Sequence, residues 1–323
     1  MVEKNYPNHN RQQVLGLFEA GEIDITTAFN LLLGNNGKEK ATKDSRPDEE
    51  ERIEAVEKQV ARLNRLIGLQ KIKDIVHEFR ALLAIQKKRK ELGLKTESVV
   101  MHMVFKGNPG TGKTTVARLL GKIYNEMGLL DKGHLKEVER ADLVGEYIGQ
   151  TAQKTRKVIK ESLGGILFID EAYSLARGGE RDFGKEAIDA LVKAMEDHND
   201  NLIIILDGYR QEMEDFLNTN PGLDSRLPIK IDFDDYSIDE LMKIAELMTR
   251  ERQYILDQRA RKALFQLLLN KRIKEGYRGG NARTVRNIIE KTIRNQAVRL
   301  FNKEDHSRQD LLYLKKEDLE EDL

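Results

Sequence analysis

Eight consecutive residues, Gly107-Asn108-Pro109-Gly110-Thr111-Gly112-Lys113-Thr114, fit the pattern G-x-x-x-x-G-K-[ST]. The chemistry that needs this pattern is the holding of a phosphate chain. Glycines leave room for backbone N–H groups to point inward at phosphate oxygens, where side chains would block the approach. A lysine at position 113 reaches the β- and γ-phosphates, and the Thr114 hydroxyl ligates Mg²⁺. Thr115 follows as a further candidate contact. A second chemical pair, Asp170-Glu171, closes a buried apolar run. After such a loop, an acidic residue at a strand end holds Mg²⁺ through its water shell, and a following Glu can polarise an attacking water. The alternative is two carboxylates that cap the next helix. A guanine-specific site would show D-x-x-G here, but Tyr173 follows Ala172. Asn302-Lys303-Glu304-Asp305 does match the guanine-reading N-K-x-D pattern. It lies far beyond the last sheet strand and reads as a solvated turn.

These groups need strands and helices to aim them. Val99–Phe105 is an apolar strand candidate before the glycine loop, and Thr115–Tyr124 carries apolar residues at helical spacing after it. Strand, loop, helix is the order an anion site requires, because the helix N-terminus contributes its dipole and free N–H groups. From about 66 to 234 the pattern alternates. Strands are expected at 136–139, 165–170, 202–206 and 229–233, and helices at 151–162 and 185–196. The runs at 165–170 and 202–206 are apolar throughout, as in the centre of a parallel sheet covered on both faces. After Ser237 the strand pattern stops, and 237–250, 257–274 and 281–301 read as helices. The expected fold is therefore α/β, a P-loop core with a parallel sheet between helices, followed by a smaller helical domain.

Residues 11–33 read as two short amphipathic helices turning at Ala20-Gly21-Glu22. That unit is too small for a core of its own. The expected divisions are a helical hairpin for interaction or oligomerisation at 1–34, a flexible linker at 35–50, a connecting helix at 51–65, the α/β domain at 66–235 and a helical domain at 236–323. In the connecting region Ile53, Val56, Val60, Leu63 and Leu66 form a narrow apolar seam, suited to lying on the core or to a short coiled coil. Lys plus Arg and Asp plus Glu are 55 each, so the net charge is zero, which argues against a general nucleic-acid binder. There is no Cys, which removes disulfides and thiolate metal sites. The six His show no ligand spacing. Without a membrane-length apolar run or a signal-peptide pattern, a soluble cytoplasmic protein is the expectation.

Residues from about 66 to 300 resemble the AAA+ ATPases. More narrowly they resemble the family that holds the red-type Rubisco activase and the stage V sporulation protein K, with the sporulation branch the nearer. The matching stretches are Gly107–Thr114, Asp142–Ala152, Gly164–Tyr173, Gly184–Ala187, Asn220–Arg226 and Asn281-Ala282-Arg283. The resemblance implies a five-stranded core, a lid, ATP and Mg²⁺ as ligands, and a homo-oligomeric ring, most simply a hexamer. It implies that Lys113, Glu171 and Arg226 are catalytic, with Arg226 as a finger inserted into a neighbouring subunit's site. The alternative for Arg226 is a surface pair with Asp224 or Asp232. Arg283 resembles the lid arginine that reaches the phosphates of its own chain, with Arg286 as the alternative. Ile67 and Gly68, within Leu66–Leu69, resemble the adenine pocket, although core packing would look the same. Tyr147-Ile148-Gly149 resembles a channel loop that grips a protein substrate, against a tyrosine buried at a strand–helix junction. Arg177–Phe183 could form a second such loop.

The chain departs from the family at Asp207-Gly208-Tyr209, where a small residue usually precedes Gly-Tyr. A carboxylate there would repel phosphates unless Mg²⁺ or Arg226 were near, so Asp207 either joins the metal shell or slows hydrolysis. The expected function is Mg-dependent ATP hydrolysis that remodels a protein substrate, with no membrane and no nucleic acid as partner, and with a role in sporulation. The alternatives are a nucleic-acid motor or loader, and an ATP-gated scaffold with slow hydrolysis, the latter suggested by Asp207.

Overall fold

The computed structural model describes residues 49–96, 99–147, 149–177, 183–275, 280–301 and 305–319. The hairpin expected at 1–34, residues 35–48 of the linker expected at 35–50, Ile148 of the expected channel loop, residues 178–182 and Asn302-Lys303-Glu304 lie outside the described residues.

Helix α1 (Glu49–Arg65) lays the second half of its seam on the core, with Leu63 fully buried and Val60 nearly so, while Ile53 stays 58% exposed. Helix α2 (Gln70–Glu91) is an element that the sequence reading passes over. Only Ile72 and Val76 are buried along its 22 residues, so most of its length is polar and gives a weak helical signal.

Five parallel strands follow: β1 (Met103–Gly107), β2 (Leu135–Val138), β3 (Ile166–Ile169), β4 (Ile203–Gly208) and β5 (Ile229–Phe233), in the order β2-β3-β4-β1-β5. Helices α3 (Lys113–Glu126), α4 (Arg140–Leu143), α5 (Gln150–Ser162), α6 (Gly184–Asp197), α7 (Arg210–Asn218) and α8 (Pro221–Asp224) connect them. Alternation along the strands sends Val104, Leu167, Ile169, Ile204 and Leu206 to one core cluster and Met103, Phe105, Phe168, Ile203 and Ile205 to another. The β3 strand and the Ile203–Leu206 run of β4 are apolar throughout because both faces are covered, whereas the edge strands β2 and β5 carry Lys136, Glu137, Lys230 and Asp232. The sheet order places β1 between β4 and β5, with Phe105 opposite Asp207 and Gly107 opposite Phe233. The carboxyl ends of β1, β3 and β4 therefore converge where an open α/β sheet binds its ligand.

Residues 234–237 link β5 to the lid. Ser237 caps α9 (Ile238–Glu251) by a reciprocal bond with Glu240. Helices α10 (Gln258–Glu275) and α11 (Asn281–Phe301) pack on α9 around Leu264, Val285 and Ile289. The lid is not purely helical, as the sequence suggested. Two short strands, β6 (Ile255–Leu256) and β7 (Tyr313–Leu314), pair in parallel, with α12 (Arg308–Leu312) just before the second. Runs of two residues carry no periodicity from which a strand could be read. Buried Asp318 receives two bonds from Arg299, at 2.7 and 3.0 Å, and Gln296 donates to the carbonyls of Asp310, Leu311 and Tyr313.

Candidate functional site

The loop between β1 and α3 turns on left-handed glycines, with φ 77° at Gly110 and 98° at Gly112. A side chain at Gly110 would also collide with the lid, since a Cβ there would lie 2.3 Å from the Gly280 carbonyl oxygen. Helix α3 begins at Lys113, so its first-turn N–H groups have no intrahelical acceptor. Lys113 Nζ donates to the carbonyls of Gly107 (2.5 Å) and Asn108 (3.1 Å) and lies 3.7 Å from Asp207 Oδ1. Thr111 is buried, and its hydroxyl donates to the Asn108 carbonyl at 2.8 Å.

Gly107, Pro109, Gly110, Gly112, Lys113, Thr114 and Thr115 share a cleft of about 320 Å³ with Asp170, Glu171, Asp207 and Arg283. Arg286, the alternative to Arg283, lines it as well, so the cleft takes both candidate arginines of α11. Glu171 adopts φ 46°, uncommon for a residue with a Cβ, and its N–H is held by Asp170 Oδ1 at 2.9 Å. Burial and the charge of Glu171 push the Tyr173 phenol up to about 12, while the Arg177 guanidinium stacks 4.6 Å over the Tyr173 ring.

Asp207 is 4% exposed, and its Oδ1 has no hydrogen-bond partner among the described residues. Burial pushes its carboxyl up to about 8, against the pull of Lys113, and Asp170 adds to the rise.

Not every expected site residue faces the cleft. The Asn108 side chain turns away to Asp235, at 3.1 and 2.9 Å. Ile67 packs on the lid cluster, and Gly68 (φ 67°) sits against Glu240 and Tyr236. Arg226 is absent from the cleft of its own chain. It pairs with Glu196 on α6 and donates to the Gly222 carbonyl at 2.6 Å. Neither expected acidic partner holds it, because Asp224 pairs with Lys230 and Asp232 with Lys106 and Arg210. Tyr147 is 68% exposed, which excludes the buried alternative, and Gly149 opens α5 at φ 81° with no atom near its would-be Cβ.

Three residues tie the loop to the lid: Asp235 and Tyr236, which the sequence reading missed, and Asn281, which it named without a role. Asp235 accepts from Asn108 and, at 2.6 Å, from Asn281 Nδ2. The Tyr236 hydroxyl donates to the Thr111 carbonyl at 3.0 Å, and the Tyr236 N–H donates to Asn281 Oδ1 at 3.1 Å. The only sequence signal was the place of Asn281 in Asn281-Ala282-Arg283. Of the four non-glycine residues at positive φ among those described (Leu69, Glu171, Gln253 and Asn281), three lie around this site. Strain held by surrounding structure marks functional positions.

Comparison with known proteins agrees with this geometry. Residues 103–235 match the ATPase family associated with various cellular activities (AAA), and residues 237–323 match the AAA lid domain. The chain is 57% identical to stage V sporulation protein K of Bacillus subtilis over 258 residues, 80% of each chain. It is 46% identical to protein CbbX of Cereibacter sphaeroides, over 73% of this chain and 76% of that one. It is also 46% identical to the chloroplastic ribulose bisphosphate carboxylase/oxygenase activase of Cyanidioschyzon merolae, over 73% of this chain and 80% of that one. The chain belongs to the AAA ATPase family, as a core and lid of the kind shared by these relatives. Its activity is the hydrolysis of ATP.

The residues present fit a nucleotide and its metal. The glycine cradle, the open first turn of α3, Lys113, Arg283 and Arg286 suit a polyphosphate. Thr114 and Asp170 are hard oxygen donors on the same cleft. Among the described residues no group of three or more His, Cys, Asp or Glu is placed to hold a metal ion on its own. That is compatible with Mg²⁺, which takes few protein ligands and shares the substrate's phosphates. No helix among the described residues is long and apolar enough to cross a membrane.

Proposed function

We propose that this protein is a ring-forming, Mg-dependent ATPase that remodels a protein substrate during sporulation, with the hexamer as its working form. In this reading Gly107–Thr115 and Arg283 hold the phosphates, and Ile67 and Gly68 face the adenine. Mg²⁺ held by Thr114 and Asp170 supplies charge neutralisation on the phosphates. Glu171 orients the attacking water and accepts its proton as the bond to the leaving ADP breaks. Arg226 of the partner subunit completes the site by offsetting charge on the γ-phosphate. Tyr147, Ile148 and Gly149 grip the substrate, because an exposed aromatic can stack on a chain of any sequence. The hairpin at 1–34, on the linker at 35–50, docks a partner or stabilises the ring. Residues 51–65, 66–235 and 236–323 act as connector, motor core and lid.

The observation that carries this reading is the position of Arg226: it stands at the finger position of the family's motif, does not line its own cleft, and is partly exposed in a pair with Glu196. The 57% identity to a protein named for sporulation supports the cellular role. The test is ATP turnover per subunit across a wide range of protein concentration. A steep rise is expected as sites are completed between subunits. Turnover that stays flat and appreciable down to concentrations where sizing shows monomer would withdraw both the finger and the ring.

A further inference from the structure

The segment between core and lid is bonded on both sides by two adjacent residues. Asp235 accepts from Asn108 of the phosphate loop and from Asn281 at the start of α11. Tyr236 donates through its hydroxyl to the Thr111 carbonyl and through its N–H to Asn281 Oδ1, and its carbonyl accepts from Arg272 of α10 at 2.5 Å. The backbones also meet directly, with the Ala282 N–H donating to the Gly110 carbonyl at 3.1 Å. Asn281 is 6% exposed and sits at φ 46°, a conformation that asparagine tolerates better than most side chains. Both ends of its amide are therefore in use. Two residues further on, Arg283 lines the cleft.

We infer that Asp235 is a positioning residue, the shared acceptor that locks the phosphate loop to the lid and so sets where Arg283 stands over the nucleotide. This rests on Gly107–Thr114 being the phosphate loop. The physical basis is that one carboxylate serves two donors from separate parts of the fold. A charged acceptor bonds each of them more strongly than a neutral one would. Losing it leaves two partly buried amides competing or unpaired, and neither the loop nor the first turn of α11 keeps its placement alone. Nucleotide that shifts the loop then shifts the lid, and lid movement is felt by the loop in return.

The chemistry allows a reciprocal exchange as the test. In Asp235→Asn an amide faces the amide of Asn281, and in Asn281→Asp two carboxylates meet. The double variant restores the pairing in reverse. The new amide at 235 donates to the new carboxylate at 281, its oxygen still accepts from Asn108, and the carboxylate still accepts from the Tyr236 N–H. What is given up is the 3.1 Å contact of Asn108 to the oxygen that becomes the amide nitrogen, and the long 3.4 Å contact of Asn281 to the Pro109 carbonyl. Two quantities are measured on the full chain: hydrogen exchange of the Ala282 amide in nucleotide-free protein, and the affinity for a fluorescent ATP analogue. Each single variant is expected to speed the exchange and to weaken binding about tenfold, the size of one charge-assisted hydrogen bond. The double variant is expected to return both to within about twofold of the parent, a non-additivity diagnostic of direct coupling. Singles that behave as the parent, or a double variant no better than either single, would overturn the proposal. Lys113→Ala is run alongside. If it binds the analogue normally, the loop reading fails, while exchange in the nucleotide-free singles and double still judges the lock.

Discussion

Glu171 illustrates how much of this site is held rather than merely present. Its backbone is left-handed, its N–H is fixed by the neighbouring Asp170, and its charge lies close enough to Tyr173 to raise that phenol. A carboxylate so constrained is aimed, and aim is what a general base supplies beyond its pKa. Glu171→Gln keeps size and hydrogen-bonding capacity but cannot take a proton. Nucleotide affinity is expected to stay near that of the parent, while turnover falls by about 10²–10⁴-fold. Equilibrium binding of a fluorescent nucleotide alongside single-turnover hydrolysis separates the two effects. Equal losses in binding and turnover would instead give Glu171 a structural part in shaping the cleft.

At the scale of elements, the β1–β4 pair shows how a buried polar residue can set register. His102 precedes β1 and is 1% exposed. Its Nδ1 accepts from the Ile204 N–H at 3.1 Å, and Nε2 is left to donate to the Met195 carbonyl at 3.1 Å. Burial holds its pKa below the ordinary 6.5, since the cation would lose water and displace the Ile204 bond. The unfolded chain therefore takes a proton near pH 6.5 where the folded chain does not. Stability attached to this residue is complete above that pH and is lost as pH falls below it. His102→Gln offers an acceptor and a donor without titrating. Denaturant midpoints measured from pH 7.5 to 5 are expected to fall less steeply for it than for the parent. The sequence made the central strands visible because a short, continuous apolar run bounded by Gly and Asp is what a strand covered on both faces requires. It left α2 unseen because that helix buries only Ile72 and Val76. The loop and the Asp170-Glu171 pair were legible in the same way, since their residue types are dictated locally. Asp235 was not, because its value comes from partners 127 and 46 positions away, which no local pattern records. Asp207 was visible as an anomaly, but its consequence depended on burial.

For the molecule as a whole, the proposed function calls for a positive charge opposite the γ-phosphate from a neighbouring subunit. Arg226 is the candidate, and what holds it now is weak. Its side chain is 31% exposed and that of its partner Glu196 is 58% exposed. Such surface pairs contribute about 0–1 kcal/mol, so a phosphate group of a neighbouring subunit could replace the carboxylate at little cost. In the proposed ring, the water-activating Glu171 and the finger would come from different chains. Two inactive proteins should then repair one another. Arg226→Ala retains Glu171, and Glu171→Gln retains the finger. A site formed by an Arg226→Ala chain beside a Glu171→Gln chain has every part in place. Random mixing of equal amounts is expected to give about a quarter of the sites this composition, and so about a quarter of parental turnover, from components that hydrolyse almost nothing alone. The assay is steady-state phosphate release as the mixing ratio is varied, with a maximum expected near equal amounts. A mixture that never exceeds the sum of its parts, under conditions where sizing shows that the two variants assemble together, would mean that both residues act within one chain. Arg226 would then have to leave Glu196 and cross to its own cleft, a movement that the 2.6 Å bond to the Gly222 carbonyl opposes.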